Sequence, residues 1–304
     1  MEKIKLIINI FRPLRWYRNL LMLLGFFVAL KLNNISIFSV WMSVVISFIA
    51  LCFVVSANYG INEVFDADSD SHHPQKHVRA VASGKIKKGT VIIFSVLFYF
   101  IGFFLVRQLN NFPLMIVFLF MFFSGIFYNI PPIRIKDIPY ADFIFEAVNS
   151  PIRLLIGWYS VTNSLIPVSF IFTFWFIGVF LMAAKRFAEI RFINDPLRAQ
   201  FYRKSLGYYT EKKLLFTMIA AISAAMFMFG VLVAKYQISL VLLLPFFIVF
   251  IVWFFSLAYD KDSIVKDPER VFEKKWFVLY TCALLIVFLL LIQYPMVSFN
   301  FLIH

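Results

Sequence analysis

Nine stretches of this chain are apolar for about 20 residues at a time, and a helix needs roughly 20 residues to cross the hydrocarbon core of a bilayer. The stretches lie near 15–31, 38–58, 90–107, 113–131, 140–160, 166–184, 214–234, 237–258 and 277–297. Unpaired backbone groups are too costly in lipid, and the runs do not alternate as barrel strands do, so each is expected to be helical. Only 15% of the residues are charged and 41 are Phe, more aromatic surface than one aqueous core could hide. The expected fold class is therefore all-α: a polytopic membrane protein of about nine transmembrane helices, forming one domain over residues 1–304. No small-residue cleavage site follows the basic N-terminus, so the first run is expected to be a retained helix. Cys52 and Cys282 sit in apolar runs without metal spacing and are expected to pack as small apolar groups.

Charge gives the orientation. The N-terminal arm holds five Lys and Arg, the 59–89 loop five, the 131–139 loop two, the 185–213 loop eight and the 259–276 loop five, which is 25 of 29 on one side. By the positive-inside rule that side is cytoplasmic, with the N-terminus in, and the expected location is the cell inner membrane. All 16 acidic residues fall on the same side or within spans near it. Orientation depends on Lys and Arg and does not require this, so the carboxylates need a separate cause.

The second run continues into Asn62-Glu63-Val-Phe-Asp66-Ala-Asp68-Ser-Asp70. On a helix Asn62, Asp66 and Asp70 are four residues apart, so successive side chains rotate by only about 40° and share a face. Carboxylates so spaced repel unless a cation intervenes. Oxygen ligands at a membrane boundary suit Mg²⁺, which takes one or two carboxylates and leaves its other positions to water and phosphate. These three are the expected metal ligands, with Asp66 and Asp70 also expected to be catalytic; Asp68 points elsewhere. Lys76 and Arg79 follow in a loop bounded by Pro74 and Gly84, fixed cations suited to the phosphate. His72, His73 and His77 lack cysteine and helical His spacing, so zinc is not expected.

Asn62-Glu63-x-x-Asp66-x-x-x-Asp70 resembles the N-D-x-x-D-x-x-x-D motif of the UbiA superfamily of intramembrane prenyltransferases. Glu63 stands where that pattern has Asp, which leaves its part in the metal set open. Tyr128-x-x-Pro131-Pro132-x-Arg134-x-Lys136 resembles the loop after the superfamily's fourth helix and adds Lys136 as a phosphate-binding candidate. The resemblance implies nine helices around a central cavity open to the cytoplasm, with a Mg²⁺-diphosphate site.

Further stretches resemble one branch, the polyprenyl-phosphate phosphoribosyltransferases. These are Arg12-Pro13-x-x-Trp16-x-Arg18-Asn19, His73-Pro74-x-Lys76-x-x-Arg79, Lys185-Arg186-Phe187-Ala188-Glu189, Arg203-Lys204-Ser205-Leu206-x-x-Tyr209-Thr210 and Asp267-Pro268-Glu269-Arg270-Val271. Ala80 stands where the branch has Pro, and the double proline at 131–132 is closer to the general superfamily. Prenyltransferases that ionise a prenyl diphosphate have a second acidic motif, D-x-x-x-D, near the end of the sixth helix. Here that place reads Lys185-Arg186-Phe-Ala-Glu189. Lys185 and Arg186, with Glu189 beside them, are therefore expected at a substrate phosphate.

The implied function is Mg²⁺-dependent transfer of 5-phosphoribose from phosphoribosyl diphosphate to a polyprenyl phosphate, giving a lipid-linked pentose donor for cell-envelope glycan. Its partners are those two substrates and not nucleic acid. The alternatives are a prenyl transfer to an aromatic or other small acceptor, which the missing second acidic motif disfavours, and a transporter. Transporters hold charge at broken helices near the midplane, whereas here it clusters at one mouth. Within the fifth run, Asp142 and Glu146 share a face and Arg153 lies two turns on. An ion pair among them and direct contact with substrate both remain open, with Asp142 the catalytic candidate.

Overall fold

The computed structural model describes residues 2–71, 76–195, 199–201, 203–260, 263–266 and 268–294. Among these, all regular structure is helical. The α-helices are α1 (Glu2–Phe11), α2 (Met22–Leu32), α3 (Ile37–Ser71), α4 (Lys88–Gln108), α5 (Phe112–Asn129), α6 (Ala141–Ala147), α7 (Asn149–Tyr159), α8 (Val168–Ile193), α9 (Glu211–Tyr236), α10 (Leu244–Tyr259) and α11 (Lys275–Gln293). Seven helical segments among the described residues are long and apolar enough to cross a membrane: α3, α4, α5, α8, α9, Ile238–Tyr259 and α11. On α4, Ile93, Phe100 and Phe104 are 70%, 67% and 56% exposed, an apolar face suited to lipid. The chain is a multi-pass membrane protein.

Two of the nine expected spans are built differently. Over 15–31 the chain is helical but begins as a 3₁₀ stretch, Pro13–Leu21, before α2. The helix expected over 140–160 divides into α6 and α7 at Val148. Pro151 has no N–H to donate to the Ala147 carbonyl, so the ladder is interrupted at that step.

That division is also where the chain changes compact unit. The first unit comprises the residues up to Ile138 with Val148–Leu165; the second comprises Pro139–Ala147 with the chain from Ile166 onward. The first packs α2 to α5 and α7 around Met22, Leu51, Val54, Phe118 and Ile156, with Ile10 and Phe11 of α1 in a second cluster with Val64, Ala67 and Val91. Its α2 and α7 approach closely: a Cβ on Gly25 would lie 2.0 Å from the Leu154 carbonyl oxygen, and one on Gly157 1.8 Å from that of Met22. Small residues permit such backbone contact between membrane helices. The second unit packs α6 and α8 to α11 around Phe180, Phe187, Leu214, Phe254 and Phe277. Thr210 caps α9 by accepting from the Lys213 N–H at 3.2 Å, which fixes where the loop ends and the span begins.

The 35 residues of α3 span about 52 Å at 1.5 Å per residue, well beyond a hydrocarbon core of about 30 Å. The last few turns project past the apolar layer and carry Asn62, Asp66 and Asp70.

Candidate active site

The acidic end of α3 is met by the segment that follows α5. Asn62 Nδ2 donates to Asp66 Oδ2 at 3.1 Å and to Asn129 Oδ1 at 2.6 Å. Asn129 is held in turn by donating to the Gly125 carbonyl at 2.8 Å. Lys136 donates to Asn129 Oδ1 at 3.1 Å and pairs with Asp66. Arg134 donates to Asp66 Oδ1 at 3.1 Å and to the Phe65 carbonyl at 3.0 Å, and it also meets Asp137. Asn62, Asp66 and Lys136 are thus in direct contact, across about 70 residues of sequence. Arg134 and Asn129 join them. Both lie in or beside the Tyr128–Lys136 motif, which was the only sequence signal for them.

One turn beyond, Asp70 is nearly buried and accepts from Arg79 at 2.6 Å. Lys76 lies within electrostatic reach of Asp66 and Asp70. Glu63 is buried against the same loop, with the Val81 N–H 3.5 Å from its Oε1. That contact ties Glu63 to the loop. Asp68 is exposed and meets Lys88 at 2.8 Å. His72, His73 and Pro74 lie outside the described residues, as does Asp267. On the N-terminal side, Arg12 and Arg15 both stack on Tyr59, 5.2 and 5.4 Å from its centroid. Burial first, and then the charges of Arg15 and Arg79, lower the Arg12 guanidinium to about 10.

The donor set of this face fits magnesium. Asn62 offers an amide oxygen and Asp66 and Asp70 offer carboxylates, all hard ligands. No group of three His, Cys, Asp or Glu that could hold a metal exists among the described residues. An all-protein cage is therefore not what they offer, and two carboxylates completed by phosphate and water is the arrangement they suit.

The second unit has its own charge cluster, centred on Arg186. This side chain is fully buried and meets three carboxylates: Asp142 at 2.9 Å, Glu146 at 2.9 Å and Glu189 at 3.0 Å. Asp142, also without exposed surface, further accepts from Ser205 Oγ at 3.0 Å and Tyr209 OH at 2.5 Å, with Arg203 3.5 Å away. The Tyr209 hydroxyl accepts from the Tyr140 N–H at 2.6 Å. Burial, and next the charge of Asp142, push the Tyr209 phenol upward, so it stays a donor.

Two expectations change here. Arg153 is not the partner of Asp142 and Glu146: it donates to Asn19 at 3.0 Å and to the Asn149 carbonyl at 2.9 Å. The break before Pro151 places the carboxylates and Arg153 in different units, and Arg186, from α8, is their cation. Arg186 itself, read from sequence as a phosphate ligand, faces carboxylates in this structure. Lys185 is half-buried and near Glu146 and Glu189, and its ammonium has no hydrogen-bond partner among the described residues. Sequence reasoning did not single out Ser205 and Tyr209 as site residues, although both stand in one of the branch motifs.

The profile of the UbiA prenyltransferase family matches residues 19–277. The chain is 25% identical over 233 residues to a decaprenyl-phosphate phosphoribosyltransferase of Mycobacterium tuberculosis, covering 74% of this chain and 72% of the relative. It is 26% identical over 243 residues to a probable homogentisate phytyltransferase of Oryza sativa, covering 74% and 63%. Its fold is similar to that of a UbiA homolog from Archaeoglobus fulgidus bound to DMAPP and Mg²⁺, with a TM-score of 0.69 at 16% identity over 92% of this chain and 99% of that one. A match running from the end of the N-terminal arm to the last helix leaves one assignment: the chain belongs to the UbiA prenyltransferase family.

Proposed function

We propose that this transferase moves 5-phosphoribose from phosphoribosyl diphosphate to a polyprenyl phosphate at the cytoplasmic side of the inner membrane. A phosphate oxygen of the lipid forms a bond to ribose C1, the bond from C1 to the diphosphate breaks, and pyrophosphate leaves. The observation that carries the reading is the Lys185–Glu189 segment. Where prenyl-ionising relatives have a second acidic motif, this chain has two cations, and its one carboxylate there, Glu189, is bound to the buried Arg186. The phosphoribosyltransferase relatives support the same reading.

Asn62, Asp66 and Asp70 would hold magnesium, which when bound neutralises charge on the departing pyrophosphate. Arg79 and Lys136, now paired with Asp70 and Asp66, are positioned to turn to phosphate oxygens, with Lys76 beside them. Once turned to the phosphate, these cations stabilise the negative charge that develops on the leaving group. Asp142 and Arg186 act from within the protein, holding the segment from Arg203 to Tyr209 against α8.

The test supplies membranes containing the protein with labelled phosphoribosyl diphosphate, polyprenyl phosphate and Mg²⁺. Label entering the lipid fraction is the expected result. The phytyltransferase relative favours the second reading, prenyl transfer to a small aromatic acceptor. Turnover of a prenyl diphosphate on such an acceptor, with no labelled lipid, would establish that reading instead.

A further inference from the structure

Within the first unit, α1 belongs to neither charge cluster. It is also not an extension of the first membrane run. The backbone turns left-handed at Arg12, with φ 51, and a residue in that conformation ends a helix. One side of α1 is packed: Ile10 and Phe11 are buried in a cluster with Val64 and Ala67 of α3 and with Ile86. Val64 and Ala67 flank Asp66 on the part of α3 that projects past the apolar layer. That sets α1 at the level of the lipid head groups.

A second apolar face is left uncovered. Ile4 and Ile8, four residues apart and so on one side of the helix, are 63% and 50% exposed. Past Arg12, Leu14 is 89% exposed, and Tyr17 and Leu20 are exposed at three-residue intervals after it. Side chains three apart eclipse on a 3₁₀ helix, so these three form one strip. The strip leads from the head-group level into the first membrane run, a surface that lipid covers.

Charge tells which lipid this face fits. Met1 to Asn19 hold five Lys and Arg against one acidic residue, Glu2. Lys3 and Lys5 are exposed, as are Lys85 and Lys87 on either side of the buried Ile86. None of these four ammonium groups has an ion pair or hydrogen bond among the described residues. Lys88, the next along, is answered by Asp68. Unanswered cations around an exposed apolar helix face match a bilayer surface that carries negative charge. The apolar side enters the boundary between head groups and acyl chains, and the lysines reach out to phosphates.

We infer that α1 is an interfacial anchor that docks on the bilayer surface and selects anionic lipid. Ile4, Ile8 and Leu14 enter the head-group boundary, while Lys3, Lys5, Lys85 and Lys87 meet the lipid phosphates.

A dye at position 8 of the full-length protein tests this. Ile8→Cys combined with Cys282→Ser takes an NBD label there, since Cys52 is buried. The protein is reconstituted in phosphatidylcholine alone or mixed with phosphatidylglycerol, with and without lipid carrying a doxyl quencher near the acyl carbonyl. The expected dye is blue-shifted and quenched by the doxyl lipid, more strongly with phosphatidylglycerol and less at high salt. Each Lys near a charged surface contributes about fivefold to binding. Lys3→Gln with Lys5→Gln should therefore lower the docked-to-free ratio of the dye in phosphatidylglycerol by roughly 25-fold. Leu14→Cys carries the dye in a parallel protein and keeps the test open if the first folds poorly. Emission as in water in every bilayer would overturn the inference. So would equal quenching with and without phosphatidylglycerol. A blue shift that doxyl lipid leaves unquenched would also overturn it, since protein and not lipid would then cover the face.

Discussion

Replacing Arg186 by methionine is the most informative single perturbation. Methionine fills much of the same volume and removes the charge, leaving three carboxylates around it. Asp142 is fully buried, Glu189 nearly so, and both sit within 3.0 Å of the guanidinium in the native protein. Removing one partner of a buried ion pair costs about 3–5 kcal/mol, because the remaining charge stays buried without compensation. Against a total stability of about 5–15 kcal/mol that is about a fifth or more. At roughly 2–4 °C per kcal/mol for domains of 150–250 residues, the expected drop in Tm is about 6–20 °C. Cys52 is buried and Cys282 exposed, so a thiol-reactive dye on detergent-solubilised protein reports unfolding through Cys52 over a fixed background. Carboxylates that protonate, or a loop that relaxes, would place the drop at the lower end. An unchanged Tm with a raised KM would refute the reasoning, since that is how an exposed phosphate ligand behaves and a buried organiser does not.

Three further outcomes follow from the same structure. Asp66→Ala should abolish turnover with membrane insertion intact, and added Mg²⁺ should not restore it; unchanged activity counts against the metal face. Tyr209→Phe deletes the donor to Asp142 and the acceptor for the Tyr140 N–H, and should cost about 1–3 kcal/mol, read as a Tm drop smaller than that of Arg186→Met. Gly157→Ala would place a methyl 1.8 Å from the Met22 carbonyl oxygen, so α2 and α7 must separate; a large loss of folded protein in detergent extraction is expected, and normal yield and Tm would contradict the close approach.

The sequence alone determined what depends on spacing within a few turns or on composition. Apolar runs of bilayer length fixed the class, because backbone groups in lipid must be paired within their own helix. Asn62, Asp66 and Asp70 could be placed on one face because helical period is a local property. The motifs from Arg12 to Val271 already carried the family likeness. Only the tertiary structure decided which cation answers which carboxylate. Asp66 is met by Lys136 and Arg134, 70 and 68 residues away, and Asp142 by Arg186, 44 residues away, whereas local spacing pointed to Arg153. Pro151 could be seen in the sequence, but that the break beside it sends α6 and α7 to different units could not. A buried charge takes whichever partner packing brings within about 3 Å, and packing joins helices whose separation along the chain leaves no periodic trace.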